Sequence, residues 1–109
     1  MDEKKILSLA GLCRRAGGVI PGADAVIGSL KKSAPPKVVF VSSEASERTR
    51  KQICDKTKFY GIPHVVVSLS PDEIGHALGL MSPCAVFGVT GKGPYEKLVS
   101  AATDSAEQN

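Results

Sequence analysis

Three short apolar runs set the frame of this chain: Val38–Val41 (VVFV), His64–Val67 (HVVV) and Ala85–Val89 (AVFGV). Runs this short and this rich in β-branched residues read as strands. A run that is apolar at every position suits a strand covered on both faces. Longer segments with helical spacing separate them. Strands alternating with helices predict an α/β chain, a three-layer α/β/α sandwich built on a small sheet. The order of the strands is not fixed by the sequence.

The helices are marked by their ends as much as by their stripes. In the first, from Glu3 to Ala16, Ile6, Leu9, Ala10, Cys13 and Ala16 recur at helical spacing, and Gly17-Gly18 ends it. Val19 and Ile20 form a short extended piece, and Pro21-Gly22 breaks it. A second helix follows from Ala23 to Lys32, with Val26, Ile27 and Leu30 as its apolar side. Pro35-Pro36 forces a loop. A third helix runs from Ser46 to Phe59, with Gly61 and Pro63 beyond it. Ser70-Pro71-Asp72-Glu73 is a capping box opening a short helix that stops near Gly79. A last helix spans Pro94 to Ala102. At 109 residues the chain is one domain, 1–102, and the tail 103–109 is expected to be disordered.

Composition excludes several classes. No apolar stretch is long enough to span a membrane, and the polar start MDEKK is not that of a secretory signal. Cys13, Cys54 and Cys84 are scattered and odd in number, so neither a disulfide framework nor a zinc site is indicated. A reducing, cytoplasmic setting follows as the expectation, with Cys13 and Cys84 as small core residues. Only 5% of residues are aromatic and Trp is absent, so the core is aliphatic. The same scarcity disfavours a base-stacking platform for single strands.

The net charge is +3, and before the last seven residues 14 bases stand against 9 acids. That excess suits a polyanion partner. Arg14-Arg15 and Lys31-Lys32 close the first two helices, and Lys37 opens a strand. Arg48, Arg50, Lys51, Lys56 and Lys58 crowd the third. Cations at helix C-termini also complement the helix dipole, so these positions serve stability as readily as binding.

Catalytic groupings are scarce. His64 and His76 fall in different elements, and neither neighbours an obvious nucleophile. Gly88, Gly91 and Gly93 lack the spacing of a phosphate-binding loop, which leaves a strand-to-helix turn as the plain reading. No enzyme, metal or cofactor is expected.

Two segments carry a resemblance. Leu7–Ile27 gives helix, glycine stop, extended piece and a helix entered through Gly22. Asp72–Val89 gives a helix with Ile74-Gly75-His76-Ala77-Leu78-Gly79, the apolar loop Leu80-Met81-Ser82-Pro83-Cys84, and a buried strand. Together they resemble the kink-turn RNA-binding family of large-subunit ribosomal proteins, the L-seven-Ae type, and more closely its bacterial YlxQ-like branch. The likeness covers Ile6 to Ala101. It implies a mixed four-stranded sheet with helices on both faces, and a non-enzymatic protein binding structured RNA, ribosomal or other non-coding. It also implies an RNA-binding set of Gly22, Ala23 and Asp24 at the second helix, Leu80, Met81 and Ser82 in the apolar loop, and Lys31, Lys32 and Lys37 toward phosphates. Ribosome association and a monomeric state belong to the same expectation.

The family pattern at the second helix is met by Gly22 and then departs. Asp24 stands where a donor is usual, Ala25 removes an acidic or amide partner, and Gly28 removes a lysine. A carboxylate cannot donate to guanine and repels phosphate. Two readings stay open: a different RNA, or a protein-interaction module that kept the fold. For Leu80 and Met81, a hydrophobic contact closing the short helix stands beside RNA contact.

Overall fold

The computed structural model describes residues 3–100. Its elements run α1 (Glu3–Arg15), β1 (Val19–Pro21), α2 (Ala23–Leu30), β2 (Val38–Ser42), α3 (Glu47–Tyr60), β3 (His64–Val67), α4 (Pro71–Ala77) and β4 (Val86–Val89). Residues 95–100 are helical as well. The expected continuation to Ala102 and the tail at 103–109 lie outside the described residues.

The sheet order is β1-β4-β2-β3. β4 runs antiparallel to β1 and to β2, while β2 and β3 are parallel. The mixed four-stranded sheet is therefore present. Side chains alternate across it. Val38, Phe40, Phe87 and Val89 face one cluster with Ile6, Ala10, Cys13, Ile74 and Leu98, from α1, α4 and the 95–100 helix. Val39, Val41 and Val86 face the other, with Val26, Leu30 and Ile53 from α2 and α3. Both faces of β2 are covered, which is why VVFV is apolar at every position. Phe40 and Phe87 are cross-strand partners, and their rings stack at 5.1 Å. Cys13 and Cys84 are buried, as their apolar neighbours suggested.

Element ends differ from expectation by a residue or two, each for a local reason. α2 stops at Leu30, because Lys31 is its C-cap and the Lys32 N–H turns back to Ser29. Ser46 is the N-cap of α3 rather than its first residue, accepting from the Thr49 N–H at 3.1 Å, and Gly61 closes that helix in a left-handed conformation. Pro21 does not break β1 but ends it. It lies on an edge strand, where its missing N–H leaves no gap in the ladder.

The topology sorts the helix ends. β1, β2 and β3 all finish at one edge of the sheet, so α2, α3 and α4 begin there. The loop leading into β4 lies at the same edge. The C-termini of α1, α2 and α3 gather at the opposite edge, where β4 finishes.

Candidate nucleic-acid interface

At the first edge, Gly22 and Ala23 meet the loop before β4. An open groove of about 440 Å³ is lined by residues 21–23 and 80–85. The Gly22 N–H donates to the Val86 carbonyl at 2.8 Å, and the Cys84 N–H to the Pro71 carbonyl at 2.9 Å. These bonds tie α2, α4 and the loop to one strand. Of the expected residues, Gly22, Ala23, Leu80, Met81 and Ser82 are brought together here.

Gly22 has φ 98° and ψ 142°, a conformation that side chains resist, and its missing Cβ would point into open space. Its absence therefore serves the turn as well as close approach from outside. A valine at this position cannot leave the fold untouched. The Gly22 amide is already engaged by Val86, so it is not a free donor. The free donors lie one residue on. α2 has no side-chain cap, and its first internal bond is from Val26 N–H to Gly22 carbonyl. The N–H groups of residues 23–25 are thus left over by the helix geometry. α3 and α4, which start at the same edge, are capped by Ser46 and Ser70.

The glycines of the second segment have separate jobs. A Cβ on Gly75 would sit 2.5 Å from the Ser82 carbonyl oxygen, so α4 packs directly on the apolar loop. Gly79, at φ 72°, turns the chain after α4. Its N–H bonds the His76 carbonyl and the Leu80 N–H bonds the Gly75 carbonyl, the paired bonds of a Schellman motif. Leu80 supplies the motif's hydrophobic contact by packing on the core. Met81 is fully exposed at 103%. The two readings of this pair are therefore divided between them: Leu80 anchors the loop, and Met81 projects from it.

Among the described residues, none that lines the groove is charged. Exposed acids stand at the starts of three helices at this edge, with the bases Arg48 and Arg50 following in α3. Asp24 is in the first turn of α2, Glu47 opens α3, and Asp72 and Glu73 open α4. Each complements its helix dipole, and each disfavours phosphate at this edge. Burial pushes the Cys84 thiol up, against weaker lowering by backbone hydrogen bonding with Gly22 and Val86, and the thiol donates to the Val86 carbonyl at 3.0 Å.

The lysines assigned to phosphates are elsewhere. Lys31 and Lys32 follow the far end of α2, and the Lys37 N–H donates to Val89, the last residue of β4. Gly22 bonds the first residue of that strand. The two groups are separated by the length of α2, about 12 Å. Spacing along the chain could not reveal this, because it depends on which strands pair.

His64 and Cys54 line one shallow groove with Glu47, Arg50 and Lys51, and among the described residues no second histidine lines it. The His64 Nδ1 is 3.0 Å from the Thr57 hydroxyl. Among the described residues there is no group of three or more metal-ligating side chains, and no helix is long and apolar enough to cross a membrane.

A four-stranded mixed sheet lies between two helical layers, with the uncapped start of α2 against an apolar loop, which is the fold that the L-seven-Ae resemblance implied. A Giardia lamblia 15.5kD RNA-binding protein shares this fold, with a TM-score of 0.80 over 97% of this chain and 88% of that one, at 14% identity. A Bacillus halodurans protein of unknown function superposes with a TM-score of 0.79 at 31% identity, over 92% and 97% of the two chains. The RNA-binding protein YlxQ of Enterococcus faecium is 35% identical over 96 residues, 88% of this chain and 89% of that one. That of Bacillus subtilis is 35% identical over 100 residues, 92% and 97%. No family model matches. The chain belongs to the YlxQ family.

Proposed function

We propose that this protein is a non-enzymatic RNA-binding module that takes a sharply bent, structured RNA at the groove between Gly22-Ala23 and the 80–85 loop. The observation that carries the reading is the uncapped start of α2, placed beside an exposed Met81 in a groove without charges. Unfilled N–H groups suit phosphate or base acceptors, and an apolar ledge suits the face of an extruded base. Asp24 can accept but not donate, so recognition here rests on backbone donors and shape more than on side-chain base contacts.

A gel-shift with a kink-turn RNA and an unkinked duplex, each at two salt concentrations, tests it. The kinked RNA should bind in preference, and that preference should survive added salt, because the groove has no cation to be screened. Met81→Glu should reduce it by about tenfold without altering the melt of the protein, since the side chain touches no core. A Met81→Glu protein that binds as the parent does would remove the groove from the interface.

One observation favours a second reading. Asp24 at the start of α2 and Asp72-Glu73 at the start of α4 disfavour phosphate beside the groove, as an apolar protein-docking site would tolerate. No binding of either RNA at low salt would favour that reading.

A further inference from the structure

At the opposite edge of the sheet a second groove, of about 680 Å³, runs between the loop after α2 and the loop after α3, closed on its third side by the turn after β4. Pro35, Pro36, Ile62 and Pro63 give it apolar walls, and Lys37 and Lys92 are its charges. The turn that carries Lys92 is fixed by close packing. A Cβ on Gly18 would lie 2.5 Å from the Lys92 carbonyl oxygen, and one on Gly91 3.5 Å from the Lys37 Cε. Lys31 and Lys32, at the end of α2, enter the loop that forms one wall. Lys58 is in the last turn of α3, before Gly61 on the other. All five lysines are exposed. The nearest acids in sequence, Asp55 and Glu96, do not line the groove.

Beside Lys58 the chain also leaves a large aromatic in solvent. Phe59 is 80% exposed, and its ring is held edge-on by Tyr60 at 5.0 Å. Helix position explains why it is not core: the inward residues of α3 are Ile53 and Thr57, and Phe59 falls on the other side. The aliphatic core has no need of it.

We infer that this edge is a second nucleic-acid site, taking an unpaired RNA strand, with phosphates on Lys37 and Lys92, bases against the apolar walls and one base stacked on Phe59. A duplex backbone would use the lysines but not the apolar floor or the exposed ring, because its bases are turned inward. An unpaired strand uses all three, which is the usual combination in single-strand binders. The choice of RNA over another polyanion rests on the reading of the first groove. The location does not, since the two grooves lie at opposite edges of the sheet. The protein would then hold a folded element at one edge and a flanking single strand at the other.

The test is fluorescence anisotropy with an adenine oligoribonucleotide of about 12 nucleotides, within the span of roughly 4–16 usual for such sites. A blunt duplex of the same length and the kink-turn RNA are measured in parallel. The single strand should bind in preference to the duplex. Lys37→Glu with Lys92→Glu should weaken the single strand by about tenfold or more, with a shallower salt dependence. Phe59→Ala should weaken it by about fivefold or more. The lysine pair should keep the preference for kinked RNA over duplex. Equal binding of single strand and duplex, or parental affinity in either variant, overturns the inference. Loss of single-strand binding in Met81→Glu would also overturn it, by merging the two sites. Kinked RNA failing to bind while the single strand still depends on Lys37, Lys92 and Phe59 would remove the earlier reading alone.

Discussion

Asp24 and Gly28 hold the sharpest question that single residues pose here. Asp24 is exposed in the first turn of α2, and a Cβ on Gly28 meets nothing within 4 Å. Asp24→Asn with Gly28→Lys therefore fits the fold as it stands and restores a donor and a cation. Affinity for a kink-turn should rise about tenfold, the order of one bidentate base contact at ~1–3 kcal/mol. No gain in a titration would show that RNA docks in another orientation. His64 makes a different prediction. Burial first, and Lys58 second, hold its imidazole below the ordinary value of 6.5. The folded protein thus binds fewer protons than the unfolded chain as pH falls past that value. The stabilisation is present above the unfolded pKa and is lost on acidification toward the lowered one. The melting temperature should drop between about pH 7.5 and 5.5, and His64→Gln should flatten that drop. An equal slope in both proteins would assign the pH dependence to other groups.

At the scale of elements, the loop before β4 is held by its contact with α4, and Gly75 sets that contact. Gly75→Ala has to move the Ser82 carbonyl or tilt the helix, because the approach of 2.5 Å leaves no room for a methyl group. Overpacking of this kind costs roughly 1–3 kcal/mol. Thermal melts should show the loss, and binding of kinked RNA should weaken further because the loop is displaced from Ala23. Parental stability would mean the loop moves freely. The element pattern was largely readable beforehand. Gly17, the Ser70 capping box and Gly61 act through neighbours in sequence, so local rules found them, whereas the contact of Gly18 with Lys92 lies far along the chain. Of the ends that shifted, those at Lys31 and Ser46 depend on local caps, and that at Pro21 on an edge position that only the strand pairing reveals. Gly75 and Gly79 stood out as a motif, yet their separate duties became visible only when the loop was seen lying on α4.

For the whole molecule, the pairing of β4 decides what one surface can hold. It places Gly22 beside Val86 and Lys37 beside Val89, dividing a residue set that looked continuous along the chain. Asp24, Asp72 and Glu73 then fall at one edge, with Arg48 and Arg50 among them, and Lys31, Lys32, Lys37 and Lys92 at the other. Helix dipoles alone would arrange the acids and the Lys31-Lys32 pair this way, which is why the basic residues could be listed from sequence but not placed. Phe59 shows the same limit. Low aromatic content could be read from the sequence, but the exposure of this one ring could not.

The edge strand β1 adds an order of events. Its partner is β4, so Val19 waits for Val89, some 70 residues later, before its ladder can form. On a chain made from its N-terminus, α2 and Gly22 emerge early with nothing to rest on. A growing polypeptide that has not reached Val86 has neither the groove at Gly22 nor the turn that carries Lys92. Both surfaces come into being together, once β4 and the turn after it have been made, and a shorter nascent chain has neither.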